Sequence, residues 1–113
     1  MPASPDTAEV VAAERAATAA QVASLEQSFE DIVDSSELVS TDDEHDPEGA
    51  TIAYERAQVA SLLESARRRL DELDAAIERI EAGTYGRCDV CGGAIAPARL
   101  EVLPATAWCV ACA

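Results

Sequence analysis

The chain has 113 residues, enough for one small domain or a small domain with an extended element. Half of it is apolar, but 24 residues are alanine and large apolar side chains are few, which excludes a thick globular core. Its formal charge is −14 and all eight basic residues are arginine; this charge opposes direct binding to a phosphate backbone and favours basic protein surfaces.

The N-terminal stretch Met1 to Asp6 has no basic region and no apolar run, so no signal peptide is expected. No segment approaches the roughly 18 apolar residues of a membrane span. These absences predict a cytoplasmic protein without membrane contact, and in that compartment cysteines stay reduced.

Residues 1–5 read as a flexible N-terminal arm. Ser4-Pro5-Asp6 is a helix start: an N-cap oxygen, a proline whose missing N–H costs nothing there, and an acid that the helix dipole favours. Val11, Val22, Leu25, Phe29 and Ile32 give a thin apolar stripe, with alanines supplying most of the face before Val22. This predicts a first helix from Thr7 to about Asp34. From Ser35 the pattern decays: Ser35 to Ser40 either extends the helix or begins an acidic tip loop over about 35–47.

Asp46-Pro47 restarts a helix, with Asp46 as N-cap. Val59, Leu63, Ala66, Leu70, Leu73, Ile77 and Ile80 are spaced 4, 3, 4, 3, 4, 3, an apolar seam held over heptads, and Ile52 lies one heptad earlier. Glu64–Arg68, Arg67–Asp71 and Arg68–Glu72 form i,i+4 pairs on the exposed side. The helix is expected to end near Ala82, with Gly83 as its C-terminal cap. Two consecutive helices of similar length, each with one apolar stripe, predict an antiparallel coiled-coil hairpin over 6–82; a homodimer or an ordinary bundle is the competing arrangement. Ten acids lie between Glu26 and Glu48, and seven of the eight arginines lie between Arg56 and Arg99, so the tip is acidic and the root carries the cations.

Residues 83–113 hold all four cysteines, as Cys88-x-x-Cys91 and Cys109-x-x-Cys112 with seventeen residues between the pairs. That is the spacing of a four-thiolate zinc site. Gly92 and Gly93 suit the tight turn after the first pair. Two disulfides would need an oxidising compartment, and a redox dithiol would need a βαβ context that is missing here; iron in a rubredoxin-like site uses similar turns and stays open. A closed four-cysteine site has no open position for substrate, so one structural zinc ion and no enzymatic activity are expected. Trp108, next to Cys109, is expected to shield the metal, and Tyr85 to pack the finger against the helices. Arg99 is expected to pair with an acid or a turn carbonyl, and Arg67 to Arg69 to balance nearby acids.

Gly83-Thr84-Tyr85-Gly86-Arg87-Cys88, then Cys91-Gly92, Ile95, Arg99-Leu100, Pro104 and Cys109-x-x-Cys112 resemble the DksA/TraR family of four-cysteine zinc-finger proteins. The resemblance implies a mostly α fold: a long helical hairpin followed by the finger, with Cys88, Cys91, Cys109 and Cys112 as zinc ligands. It also implies a bacterial transcription regulator that binds RNA polymerase, in places jointly with ppGpp, by inserting an acidic tip into the secondary channel. Asp46 matches the first Asp of the tip motif D-x-x-D-x-A, while the second Asp falls on Gly49 and the Ala on Thr51. Asp42, Asp43, Glu44, Asp46 and Glu48 are the tip candidates. The alternative is a zinc-stabilised interaction adaptor that keeps the fold without polymerase activity.

Overall fold

In the computed structural model the described residues are 5–38 and 47–113, with the side chains of 36–38, 47 and 48 not described. Among these residues three helices follow in order: α1 (Pro5–Leu38), α2 (Pro47–Ala82) and the short α3 (Pro97–Val102). Each begins with proline at its first helical position, where the fixed φ is already helical and the lost N–H has no partner to lose. Helix α1 continues past Asp34 through Ser35, Ser36 and Glu37 to Leu38, so of the two readings left open for this stretch it is the helical extension that forms as far as Leu38. With neither glycine nor proline in those positions, nothing in the backbone stops it.

The fold is mostly α, with α1 and α2 packed as a hairpin. Both helices pass through two compact units: Met1–Thr18 with Arg69–Ala113, and Ala19–Arg68.

In the first unit the core is small. Val11, Leu73 and Ala76 are fully buried, Tyr85 closes the cluster at 6% exposure, and Ile77, Ile80, Leu100 and Ala105 pack around it. Tyr85 thus joins the finger to the helices, as its position in the sequence suggested. Its hydroxyl donates to the Pro104 carbonyl at 2.8 Å, so the buried phenol leaves no unmet donor. Two cross-helix ion pairs flank the cluster, Arg15–Asp74 at 2.7 Å and Arg69–Glu14 at 3.1 Å. Thr18 is buried as well; its hydroxyl donates to the Glu14 carbonyl one turn back at 2.8 Å.

In the second unit Val22, Leu63 and Ala66 are buried, and Leu25, Phe29, Ile32, Ile52 and Val59 are half-buried. Arg67 reaches Glu26 of the facing helix at 3.7 Å, while Arg68 takes Glu64 at 3.0 Å and Ser65 at 3.2 Å. Of the three expected i,i+4 pairs, Glu64–Arg68 forms; Arg67 is drawn across the helix pair instead. With Ser28, Asp31 and Ile32 grouped beside Glu55, Gln58 and Val59, rising numbers on α1 meet falling numbers on α2, so the pairing is antiparallel.

The end of α2 is sharply made. Gly83 has φ of 76°, its N–H donates to the Ile80 carbonyl at 3.2 Å, and the Thr84 N–H donates to the Arg79 carbonyl at 2.9 Å. This pair of bonds is a Schellman motif, which satisfies two of the last carbonyls and turns the chain out of the helix.

Candidate metal centre

The turn after α2 leads into a short hairpin that presents the first cysteine pair. Arg87 and Ala94 form an isolated antiparallel bridge, the Ile95 N–H donates to the Gly86 carbonyl at 2.8 Å, and the Cys88 N–H donates to the Gly93 carbonyl at 2.8 Å. Inside it, the Gly92 N–H returns to the Cys88 carbonyl at 2.9 Å, with Gly92 at φ of 74°. Positive φ is therefore needed at Gly92 but not at Gly93, contrary to the expectation for both. Gly93 serves the site in another way: its N–H points to the Cys91 Sγ at 3.4 Å. An added Cβ at Gly93 would stand 3.4 Å from that sulfur.

Helix α3 and the loop after it carry the chain back to the second pair. The Asp89 N–H donates to the Ala107 carbonyl at 2.8 Å, which docks that loop on the first knuckle. Arg99 Nε donates to the Trp108 carbonyl at 2.9 Å, which fulfils the expected turn-carbonyl contact. Arg79, in the last turn of α2, donates to the carbonyls of Ala105 and Thr106 at 3.3 and 3.5 Å. Arg79 carried no predicted role, although a cation in the last turn of a helix is well placed to reach nearby carbonyls. Beyond Cys109, the N–H groups of Cys112 and Ala113 fold back on the Cys109 carbonyl at 3.1 and 3.0 Å.

These turns bring Cys88, Cys91, Cys109 and Cys112 together, with all four sulfurs within 4.8 Å of one another. The Cys91–Cys109 separation is 3.7 Å. A tetrahedron with Zn–S bonds of about 2.3 Å has sulfur–sulfur edges of roughly 3.8 Å, so the donor set and its size fit zinc. The cofactor is a structural zinc ion. Cys88 is buried, Cys109 and Cys112 are half-buried and Cys91 is exposed. Trp108 is 49% exposed, and its contacts to Arg99 and Thr106 run through its backbone.

The thiols are strongly unlike one another. Hydrogen bonding from the Cys91 backbone, and next from that of Cys109, brings the Cys88 thiol down to about 6. Hydrogen bonding with the side chains of Cys109, Cys88 and Cys91 pushes Cys112 up to about 12. Four thiolates this close repel each other, and only a cation among them lets all four ionise at neutral pH. The site can therefore hold a metal and bind the knuckles together; with four protein ligands it offers no open position for substrate.

Of the tip candidates, Asp42, Asp43, Glu44 and Asp46 lie outside the described residues, as does His45; Glu48 lies in the first turn of α2, with its side chain not described.

Comparison with known proteins agrees with this architecture. Residues 83–113 match the family described as the prokaryotic dksA/traR C4-type zinc finger. An uncharacterized protein of Aquifex aeolicus (strain VF5) is 50% identical over 44 residues, which cover 39% of this chain and 30% of that protein. The uncharacterized protein YteA of Bacillus subtilis (strain 168) is 39% identical over 66 residues, covering 58% of this chain and 28% of YteA. The chain thus matches less than a third of the length of these curated relatives. Among solved structures, transcription factor DksA2 from Pseudomonas aeruginosa aligns with a TM-score of 0.77 at 24% identity, over 93% of this chain and 75% of that one.

Proposed function

From a chain that carries the DksA/TraR C4-type zinc finger on a DksA-like helical hairpin, we propose a transcription regulator that binds RNA polymerase. The observation that carries this reading is the finger match at 83–113 combined with a shared fold over 93% of the chain with a protein named as a transcription factor. In this reading the zinc ion fixes the finger, the finger anchors the root of the hairpin, and the acidic stretch between the helices enters the secondary channel. A narrow channel lined by cations favours carboxylates, and a bound Mg²⁺ takes oxygen ligands. Asp42, Asp43, Glu44, Asp46 and Glu48 are the groups assigned to that contact. We assign the protein no catalysis of its own and no direct contact with DNA, and we place it with polymerase in the cytoplasm. No described helix is long and apolar enough to cross a membrane. Joint action with ppGpp belongs to the same proposal.

A second reading, an adaptor for another protein, is favoured by one feature: Gly49 and Thr51 stand where the tip motif has its second Asp and its Ala. A single experiment separates the two. Zinc-loaded protein and the Asp42→Asn, Asp43→Asn, Asp46→Asn triple variant are titrated against purified RNA polymerase core, and transcript yield is measured at a promoter with a short-lived open complex. The polymerase reading expects both to bind at micromolar concentration and only the unaltered chain to change yield. Absence of binding by either moves the function to another partner. Equal effects of both remove the tip carboxylates from the mechanism.

A further inference from the structure

The first unit carries an apolar groove that the metal centre does not use. It runs between the first turns of α1 and the short α3 and has a volume of about 360 Å³. Val11 lies at its floor, fully buried; Val10, Leu100 and Tyr85 are among its walls, and Val10 is 52% exposed. Exposed apolar surface with a concave shape gains free energy when another apolar group fills it.

The edge of the groove is acidic and unbalanced. Asp6 and Glu101 line it, both exposed, no arginine does, and the chain has no lysine. Among the described residues, no ion pair reaches either carboxylate. Asp6 sits in the first turn of α1, where the helix dipole accounts for an acid. Glu101 has no such reason: it is next to last in α3, at the end of the helix where the dipole disfavours negative charge. The groove therefore combines an apolar floor with two unopposed negative charges.

We propose that this groove is a docking site for a protein segment that presents an aliphatic side chain flanked by lysine or arginine. The aliphatic group packs on Val10 and Leu100 above the buried Val11, and the flanking cations sit beside Asp6 and Glu101. The charge pairs at the rim select the partner and speed encounter more than they tighten the complex. None of its lining residues belongs to the acidic stretch between the helices, and the proposal stands whether or not that stretch contacts polymerase.

The test uses the full zinc-loaded chain with labelled valine and leucine methyl groups. It is titrated with three probes: acetyl-Lys-Leu-Lys-amide, its Gln-Leu-Gln counterpart and its Glu-Leu-Glu counterpart. The expected result is saturable movement of the Val10, Val11 and Leu100 methyl signals at millimolar concentration with the lysine peptide alone. The Asp6→Asn, Glu101→Gln double variant, with its zinc content and helical circular dichroism checked, is expected to weaken that binding roughly tenfold, as two exposed charge pairs together allow. The proposal is overturned if the glutamine peptide binds equally well, if the groove signals stay still, or if Val59 and Leu62 in the other unit move as much, which marks general attraction to a negative protein. It is also overturned if the lysine peptide acts only after residues 1–4 are deleted, which would make those residues the occupant.

Discussion

Arg15 Nε lies 2.7 Å from a carboxylate oxygen of Asp74, joining α1 to α2 across 59 residues of sequence. The hydrogen bond to Asp74, and after it the charge, hold the Arg15 guanidinium more firmly protonated than usual. Both side chains are nearly half exposed, at 43% and 44%, so water and salt screen the pair. Arg15→Gln and Asp74→Asn are each expected to lower the melting temperature of the zinc-loaded protein by no more than about 4 °C. The double variant should fall little further than either single one. The differences should shrink between 50 mM and 1 M salt; a loss that salt leaves unchanged would identify packing by the arginine stem as the real contribution.

Leu73 is expected to be the costliest aliphatic position. It has no exposure and sits with Val11 and Ala76 at the centre of the small core. Leu73→Ala removes three carbons from a site that cannot collapse freely and should destabilise by about 2–5 kcal/mol. Leu62, 51% exposed on the same helix, gives the contrast: Leu62→Ala should stay within about 0.5 kcal/mol. Urea unfolding of both variants with zinc bound checks the pair. Similar losses would mean that Leu62 is covered in solution, by a second copy or another protein.

The contrast between those leucines was legible in the sequence, because α2 repeats its seam without interruption. The seam positions Leu63, Ala66 and Leu73 are buried, and Val59, Leu70, Ile77 and Ile80 are half-buried. Helix α1 was harder to read for a physical reason. Its buried stripe runs Val11, Thr18, Val22 and on to the half-buried Leu25, with a gap where a heptad would place an apolar residue. Thr18 hides its hydroxyl on its own helix, and Glu14 and Arg15 fill the gap by reaching across to Arg69 and Asp74. A polar residue satisfied by a distant partner leaves no periodic signal. Ala76, fully buried outside the counted seam, was missed because alanine in so alanine-rich a chain marks nothing.

The cysteine cluster was legible because ligand spacing is local chemistry; the contacts that support it were not. Arg79 acts on Ala105 and Thr106, more than 25 residues away, and only folding reveals that. Trp108 is likewise tied through its backbone, to Arg99 and Thr106, which its place beside Cys109 in the sequence does not announce.

Tyr85 couples the finger to the core through two separable contributions. Its ring fills the cluster and its hydroxyl satisfies the Pro104 carbonyl. Tyr85→Phe keeps the ring and should cost about 0.5–1.5 kcal/mol, whereas Tyr85→Ala should cost about 3–5 kcal/mol. Burial, opposed in part by the charge of Arg79, raises the phenol above its ordinary value. A raised acid is stabilising in its neutral form, so this contribution is complete below the ordinary tyrosine range and fades as pH climbs through the folded value. Absorbance at 295 nm during an alkaline titration should show a phenolate step lost in Tyr85→Phe, above the ordinary tyrosine range and joined to the alkaline loss of structure. A Tyr85 step at the ordinary value would mean that the ring is solvated.

Zinc binding should be coupled to protons with a defined sign. The metal takes thiolates, and in the metal-free finger Cys88 is down to about 6 while Cys112 is up to about 12. At pH 7 Cys88 is therefore already mostly ionised, and Cys112 must give up its proton when zinc arrives. For the metal-free finger, the depressed Cys88 contributes stability that is present above the ordinary thiol range and is lost as pH falls through about 6. The raised Cys112 acts oppositely: its contribution is present below the ordinary thiol range and disappears only as pH rises through about 12. Bound zinc overrides that preference by holding Cys112 as thiolate, so zinc affinity should fall as pH drops from 8 to 5. Calorimetry of zinc binding at pH 7 in buffers of different ionisation enthalpy should register net proton release, and Cys112→Ser should reduce it more than Cys88→Ser. Chelation should then release one zinc per chain and expose Tyr85, with the helices of the second unit retaining their signal. Zinc uptake without proton release would show that the four thiols are already ionised before the metal binds, and the assigned difference between Cys88 and Cys112 would be wrong.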